Sequence, residues 1–221
     1  MARGGRFSTK GSEMLHLAAR LFAAGAILLG GTAAGAKAVE ILAFGDSLTA
    51  GFGLPPEAAF PVRLEARLRA HDIDVRVVNS GGSGDTTADG LARLDWALGD
   101  KPAIVILELG ANDMLRGIPP GAVRANLDAM IAKAQAAGAK VLLAGMRAAP
   151  NWGADYQREF DAIYPELAKA HGVALYPFFL DGVALRPELN QPDGLHPNER
   201  GVGVLVDRIA PYVVELIGGK S

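Results

Sequence analysis

The run AIVILEL, residues 103–109, decides the fold of this chain. It is nearly continuous in apolar residues, as is typical of a strand that is buried on both faces of a parallel sheet. A second run of this kind, AKVLLAGM, follows at residues 139–146. Three shorter apolar runs are also predicted to be strands, namely VEILAF (39–44), DVRVVN (74–79) and VALYPF (173–178).

Amphipathic segments separate and follow these strands. Their apolar residues recur three or four positions apart, as on the buried face of a helix, in residues 58–70, 87–98, 121–137, 155–170 and 199–217. Pro165 is expected to kink or shorten the fourth of these helices. The alternation predicts an α/β fold with βαβ units, a mostly parallel five-stranded sheet and helices on both of its faces. Among such folds we favour the flavodoxin-like strand order 2-1-3-4-5.

The first 36 residues differ in composition from the rest of the chain. The first twenty contain four basic residues and one acid, and the next sixteen carry no charge and end in Ala34-Gly35-Ala36. This succession predicts a secretory signal peptide, residues 1–36, that is cleaved after Ala36 or, as the alternative, after Ala38. An uncleaved anchor is disfavoured because the apolar run is short for a membrane span. Met14 is an alternative start of the signal.

Composition narrows the classes of protein that fit. The chain has 221 residues, 50% of them apolar, and no cysteine, which excludes a disordered chain, a disulfide scaffold and a thiolate metal site. Removing the predicted signal, with its four basic residues and one acid, changes the formal net charge from −2 to −5. That charge argues against binding to nucleic acid. We expect a single domain over residues 37–221, periplasmic or secreted.

Ligands of such a sheet bind beyond the carboxyl ends of the strands, so functional residues are expected in the loops that follow the strands. GDSLT (45–49) follows the first strand. Ser47 is a candidate nucleophile, because its own N–H would lie at a helix N-terminus, which favours an oxyanion. An ordinary N-cap serine is the alternative. The stretch is not the Gly-x-Ser-x-Gly elbow, since Thr49 stands at the second glycine position.

NSGGSGDT (79–86) follows the second strand, and its glycines allow backbone N–H groups to approach a ligand closely. A phosphate-binding loop is the rival interpretation. It is disfavoured because residues 82–87 lack the last glycine of Gly-x-Gly-x-x-Gly and no Gly-Lys-Ser/Thr follows. A flexible turn with Asp85 or Thr86 as a helix cap is the third interpretation.

Two further loops carry polar residues that suit acyl chemistry. GAND (110–113) follows the third strand, and Asn112 can donate a hydrogen bond to an oxyanion without titrating. DGLHP (193–197) contains His196, a base near neutral pH, and Asp193, which can orient its ring. A surface turn is the alternative for both loops. No spacing of His, Asp or Glu is typical of a zinc site.

Together these loops resemble the four blocks of the SGNH (GDSL) hydrolases, which centre on Ser, Gly, Asn and His. The matching stretches are FGDSLT (44–49), SGDT (83–86), GAND (110–113) and DGLHP (193–197). Other stretches resemble the bacterial periplasmic subgroup that includes esterases, thioesterases and lysophospholipases, namely GLARLDWAL (90–98), IYPELAK (163–169) and LYPFFLDGVALRPELNQPDGLHPN (175–198). The resemblance covers essentially the whole predicted mature chain and implies a three-layer α/β/α fold.

The resemblance also implies a role for each matched residue. Ser47 attacks the acyl carbonyl, His196 takes and returns the proton, and Asp193 orients His196. The oxyanion is bound by the backbone N–H groups of Ser47 and Gly84 and by the side chain of Asn112. Gly84 is the matched glycine because it directly precedes Asp-Thr.

Other residues are expected to surround this site. Asp46 and Asn79 are predicted to support it, with Asp46 bonded to backbone so that it fixes the serine turn. In the resembling subgroup the loop after Asn112 borders the acyl pocket, which suggests that Met114, Leu115 and Ile118 contact the acyl chain. Packing under a surface loop is the alternative. The chain departs from the subgroup at Gly81-Gly82 and at Ala111, where a second glycine is common.

The candidate catalytic residues predict a serine esterase, and the resemblance to the subgroup implies aryl and acyl esters as substrates, with thioesterase and lysophospholipase as further activities. A carbohydrate O-deacetylase on the same fold is the alternative, whereas a non-catalytic binding domain is disfavoured because every catalytic position is filled. No metal and no organic cofactor is implied. The expected partner is a small-molecule acyl ester or lipid. We expect no nucleic acid, no stable membrane anchor after signal cleavage, and a monomer by default.

Overall fold

A computed structural model of the chain describes Met1 and residues 38–218. The predicted signal peptide therefore lies outside the described residues, apart from Met1. Five strands form one parallel sheet in the order β2-β1-β3-β4-β5. They are β1 (Val39–Gly45), β2 (Val75–Gly81), β3 (Ile104–Glu108), β4 (Lys140–Ala144) and β5 (Ala174–Tyr176).

The predicted parallel sheet and its flavodoxin-like order are confirmed. Each strand begins and ends within about two residues of its prediction, a scatter that is usual for element boundaries. The largest differences are two residues, at the ends of β2, which is longer than predicted, and of β4 and β5, which are shorter. Pro177 follows β5 and has no N–H with which to continue the ladder. Beyond β4, Gly145 donates its N–H to the carbonyl of Tyr176 and accepts one from Phe179.

Seven α-helices accompany the sheet in residues 38–218: α1 (Ser47–Ala50), α2 (Phe60–Arg69), α3 (Thr87–Ala97), α4 (Ala111–Leu115), α5 (Pro120–Ala136), α6 (Ala154–His171) and α7 (Glu199–Gly218). Helix α2 packs against α7, whereas α3 packs against α5 and α5 against α6. These contacts place α2 and α7 in one layer and α3, α5 and α6 in the other. The predicted three-layer α/β/α architecture is therefore confirmed.

The predicted shortening of α6 at Pro165 is wrong. The helix runs without a break from Ala154 to His171, with Pro165 inside it. Proline leaves the carbonyl four residues before it without its usual helical partner, which costs stability. Here the buried face of the helix offsets that cost, because four large side chains pack into the core around the proline, namely Phe160, Ile163, Tyr164 and Leu167.

The last residues of the five strands form one row across the sheet. Gly45 lies opposite both Gly81 and Glu108, Glu108 lies opposite Ala144, and Ala144 lies opposite Tyr176. The loops that follow the strands therefore all leave the sheet along one edge. Within residues 38–218, no helix is both long enough and apolar enough to cross a membrane.

Candidate active site

The serine turn directly follows β1. Asp46 is the N-cap of α1, and its Oδ1 accepts the N–H of Leu48 at 2.9 Å. Ser47 is therefore the first residue of α1 and remains partly exposed, rather than being the capping residue itself. Gly45 is required at the end of β1, because a Cβ there would overlap the side chains of Thr49 and Glu108. The chain can thus turn tightly over the edge of the sheet.

Three side chains at this edge of the sheet are connected by hydrogen bonds. Nε2 of His196 lies 2.9 Å from Oγ of Ser47, and Nδ1 of His196 lies 2.7 Å from Oδ2 of Asp193. This arrangement activates a serine hydroxyl, because the nucleophile is hydrogen-bonded to a base and the base is hydrogen-bonded to an acid that orients it. The structure thus brings the predicted Ser47, His196 and Asp193 together.

Asp193 is held in its charged form. Its Oδ1 accepts the backbone N–H groups of Leu195 at 2.9 Å and His196 at 3.0 Å. These two bonds, together with the bond to the His196 ring, lower the pKa of Asp193 to about 2. A carboxylate that stays ionised near neutral pH favours the Nδ1–H tautomer of the ring and leaves Nε2 free to accept a proton.

Hydrogen bonds join Asn112 and the loop that carries Gly84 to the serine turn and the end of β1. Gly84 has a φ of +87°, in the left-handed region that glycine adopts without strain. Among the described residues, the N–H groups of Ser47 and Gly84 have no acceptor. The Asn112 amide donates to Oδ2 of Asp46 at 3.1 Å and to the carbonyl of Asp85 at 3.0 Å. An oxyanion must therefore share or replace one of these acceptors.

Arginine side chains brace the loop that carries Gly84. Arg93 contacts Oδ2 of Asp85 at 2.6 Å and donates to the carbonyls of Ser80 at 3.0 Å and Gly45 at 2.8 Å. Arg116 donates to the carbonyl of Gly84 at 2.8 Å. These contacts connect the ends of β1 and β2, so the loop is not simply the flexible turn of the third interpretation.

Two residues around this loop begin or anchor α3. Thr86 caps the helix in a capping box with Asp89, as one of the alternative interpretations expected of this position. Asp113 is buried and accepts the N–H of Thr87 at 2.8 Å and its hydroxyl at 2.6 Å. The acid that follows Asn112 therefore ties the third loop to the second.

The predicted supporting residues also make backbone contacts. Burial raises the pKa of Asp46 to about 6, although its bond to the Leu48 N–H acts in the opposite direction. Asn79 donates to the carbonyl of Ala50 at 3.3 Å and accepts the N–H of Gly81 at 3.0 Å. Asp46 thus contacts both the serine turn and Asn112, and Asn79 joins α1 to the end of β2.

Gln191 and Phe52 were missed by the sequence analysis. The Gln191 amide donates to the carbonyls of Phe52 at 2.7 Å and Pro197 at 3.0 Å, so it bridges the loops that follow Ser47 and His196. The Phe52 ring lies 4.7 Å from the His196 ring, centroid to centroid. Both contacts join segments that are far apart in the chain, and neither residue belongs to one of the four blocks.

The loop after Asn112 contains one freely exposed apolar side chain. Leu115 is 48% exposed, whereas Met114 and Ile118 pack partly buried against the core. Two aromatic residues that the sequence did not single out hold this loop. Trp152 lies against Gly117, and the hydroxyl of Tyr156 donates to the carbonyl of Ile118 at 2.9 Å. Leu115, in the same short helix as Asn112, and Trp152, which lies against Gly117, are thus both exposed to solvent.

The site residues can perform acyl chemistry by their own groups. Ser47 offers a hydroxyl for nucleophilic attack, His196 an imidazole for proton transfer, and Asn112 an N–H donor for an oxyanion. Across the part of the chain that the structure describes, no group of three or more His, Asp or Glu side chains could hold a metal ion.

Comparison with known proteins shows the family to which the chain belongs. The model of the GDSL-like Lipase/Acylhydrolase family matches residues 43–204. An arylesterase of Vibrio mimicus is 42% identical over 185 residues, which cover 83% of this chain and 92% of that protein. The thioesterase 1/protease 1/lysophospholipase L1 of Escherichia coli K12 is 39% identical over 187 residues, which cover 84% and 88%.

A solved structure agrees as well. The crystal structure of TesA superimposes with a TM-score of 0.77 at 42% identity, covering 80% of this chain and 99% of that one. The family model spans all four loops that carry Ser47, Gly84, Asn112 and His196. The chain belongs to the GDSL-like lipase/acylhydrolase family.

Proposed function

We propose that the protein is a carboxylic ester hydrolase that acts on aryl and acyl esters through an acyl-enzyme on Ser47. The observation that carries this proposal is the hydrogen-bonded series from Ser47 through His196 to Asp193, with the N–H donors of Ser47, Gly84 and Asn112 beside it. Family membership and the esterase relatives support the same reaction class.

The first step forms the acyl-enzyme. Oγ of Ser47 attacks the ester carbonyl carbon while Nε2 of His196 takes the hydroxyl proton. The negative charge that develops on the carbonyl oxygen is stabilised by the three N–H donors. The C–O bond to the leaving alcohol then breaks, and His196 returns the proton to that alcohol.

The second step releases the acid. A water molecule gives a proton to His196 and its oxygen attacks the acyl carbonyl carbon, which again places charge on the carbonyl oxygen. The bond to Ser47 Oγ breaks, and the proton returns from His196 to Ser47. In both steps Asp193 stays ionised and stabilises the charged ring.

The surface that binds the acyl or aryl group of the substrate is proposed to be apolar. Leu115 is exposed in the same short helix as Asn112, and Trp152 is exposed and lies against Gly117. Met114 and Ile118 are partly buried against the core. Relatives named arylesterase and thioesterase 1/protease 1/lysophospholipase L1 support esters with aryl or acyl groups. Thioesterase and lysophospholipase activities are therefore included in the proposal, and the substrate is a small acyl ester or a lipid.

Export is part of the same proposal. Residues 1–36 act as a signal peptide, and the released chain works in the periplasm or the medium as one hydrolase domain over residues 37–221. The charge pattern of the N-terminus supports this assignment, and the absence of cysteine is compatible with an oxidising compartment. We propose that the released domain is a monomer without a membrane anchor.

A chain-length series tests the function. Residues 37–221 and the Ser47→Ala variant are assayed on nitrophenyl esters from acetyl to palmitoyl, with an acetylated sugar in parallel. Hydrolysis of the nitrophenyl esters that vanishes in Ser47→Ala is the expected result. Turnover of the acetylated sugar alone would favour the O-deacetylase, and a folded sample with no Ser47-dependent turnover would refute the esterase.

A further inference from the structure

Glu108 is a buried carboxyl that the proposed mechanism does not use. It is the last residue of β3, whose other residues are Ile104, Val105, Ile106 and Leu107, and its side chain is fully buried. Its place in the sheet is opposite Gly45, two residues before Ser47. An acid at this position costs stability unless its oxygen atoms find partners.

One oxygen of Glu108 contacts both sides of the serine. Its Oε2 lies 2.7 Å from the hydroxyl of Thr49, which donates to it, and it accepts the N–H of Asp46 at 3.3 Å. Asp46 precedes Ser47 and Thr49 follows it by two residues. A single carboxyl oxygen therefore joins the two flanks of the serine turn to the end of β3.

The fit around this oxygen is close. A Cβ on Gly45 would overlap both Oε2 of Glu108 and the hydroxyl of Thr49. Gly45 thus allows the Glu108 carboxyl to approach closely, in addition to allowing the tight turn of the chain. A carboxyl that is packed this closely transmits its position to the backbone that it bonds.

The surroundings of Glu108 favour an uncharged carboxyl. Among the described residues, Oε1 has no hydrogen-bond partner, and no lysine or arginine pairs with Glu108 or Asp46. Burial and the neighbouring carboxyl of Asp46 both raise the pKa of Glu108. The other titratable groups nearby are His196 and Asp85, which act on Asp46, and the buried phenol of Tyr164.

We propose that Glu108 is a positioning residue for the nucleophile, which as an uncharged carboxyl fixes the turn that carries Ser47 to the end of β3. Oε2 acts as the carbonyl oxygen that accepts from Thr49 and Asp46, and the proton is on Oε1. Glu108 does not touch substrate. It acts through the backbone of Asp46, which sets the direction of the Ser47 N–H and the distance from Ser47 Oγ to His196.

The inference rests on the proposed function and is tested with four variants of residues 37–221. Glu108→Gln keeps a carbonyl oxygen and an uncharged donor, Glu108→Leu removes both, and Thr49→Val removes the hydroxyl. Ile104→Ala, at the far end of the same strand, is the matched control for loss of core packing. For each, kcat and KM on a nitrophenyl ester and the thermal midpoint are measured.

We expect Glu108→Gln to keep kcat within about threefold of wild type, and Glu108→Leu to lose on the order of 10–100-fold in kcat with little change in KM. Thr49→Val should fall between them. Ile104→Ala should lower the thermal midpoint but leave kcat unchanged, because it is far from the turn.

Other results would overturn the inference. A wild-type kcat in Glu108→Leu would show that the carboxyl does not position Ser47. An equal loss in Glu108→Gln and Glu108→Leu would show that a charged carboxylate is needed. If Glu108→Leu does not fold, Thr49→Val is the deciding variant, and an unchanged kcat in Thr49→Val overturns the proposal. Failure of the proposed function is separate, because it appears in wild type as the absence of Ser47-dependent hydrolysis.

Discussion

Oγ of Ser47 lies 2.9 Å from Nε2 of His196, although 149 residues separate the two in the chain. Ser47 is held by the end of β1, and His196 by a loop after β5 that Gln191 ties to Phe52. The distance is within hydrogen-bond range, so the base can take the serine proton without a large rearrangement.

Asn112→Ala should reduce kcat by on the order of 10²–10³-fold, because it removes one of three oxyanion donors. Asn112 is partly exposed and lies at the start of α4, so the fold should survive. Turnover of a nitrophenyl ester and the far-UV circular dichroism spectrum check this. A folded variant with a near wild-type rate would mean that Asn112 is not an oxyanion donor.

Asp193→Asn should lower kcat by on the order of 10³–10⁴-fold, because the amide no longer selects the Nδ1–H tautomer of His196 or stabilises its charged ring. Asp193 lies in an exposed loop, so little change in thermal stability is expected. Asp207→Asn, an exposed acid on α7, is the matched control and should leave kcat unchanged. Equal rates in the two variants would contradict the role of Asp193.

Leu115→Ala should shift the acyl-chain preference towards shorter esters, because it removes apolar surface beside the oxyanion donors. The ratio of kcat/KM for octanoyl and acetyl nitrophenyl esters should fall about tenfold, the effect of a few methylene contacts. Val214→Ala, on an exposed position of α7, is the control for a generic loss of surface apolarity. An unchanged ratio in Leu115→Ala would place the acyl chain elsewhere.

Asp46 should make stability fall as pH rises between about 4 and 6. Its pKa is raised to about 6 in the native state by burial, from an ordinary value near 3.8. The native state therefore holds more protons in this window, and the stability that the protonated form contributes is fully present below it and lost above it. The expected change is on the order of 1–3 kcal/mol.

Urea unfolding at several pH values measures this effect. In Asp46→Asn the side chain does not titrate, so the free energy of unfolding should depend less on pH between 4 and 6 than in wild type. Asp95→Asn, an exposed acid on α3, is the control and should follow wild type. Identical pH dependence in Asp46→Asn and wild type would show that Asp46 titrates at an ordinary pKa.

Gln191→Ala should lower kcat by on the order of tenfold, because the loops that follow Ser47 and His196 lose their bridge. Gln191→Glu keeps the length of the side chain but cannot donate to the carbonyls of Phe52 and Pro197, so it should resemble the alanine variant. Steady-state kinetics and thermal unfolding check both. Full activity in Gln191→Ala would mean that the loop around His196 holds its position without the bridge.

The sequence predicted the sheet order and the catalytic loops because both depend on local patterns. Apolar runs with strand length alternate with helical periodicity, and Ser47, Asn112 and His196 each lie in a loop of characteristic composition. Glu108 could not be singled out in this way. It stands inside an apolar run, and its importance depends on Gly45 and Thr49, which are about sixty residues earlier in the chain.

Similar reasons apply to Gln191, Phe52 and Trp152. Their contacts are with backbone carbonyls, an imidazole ring and a glycine in distant segments, which no spacing rule describes. The uninterrupted helix through Pro165 is a further case, because the packing of its buried face outweighs a local preference that the sequence shows plainly. Tertiary contacts decided each of these features.

The row formed by the last residues of the five strands has a consequence for how the enzyme acquires activity. Residues from four separate loops meet at that edge. Ser47, which follows the first strand, must contact His196, which lies in the segment after the last strand. Contacts of such long sequence separation form late and slowly when a chain folds. The recovery of ester turnover should therefore report the last stage of folding, whereas the circular dichroism signal of the helices reports earlier stages.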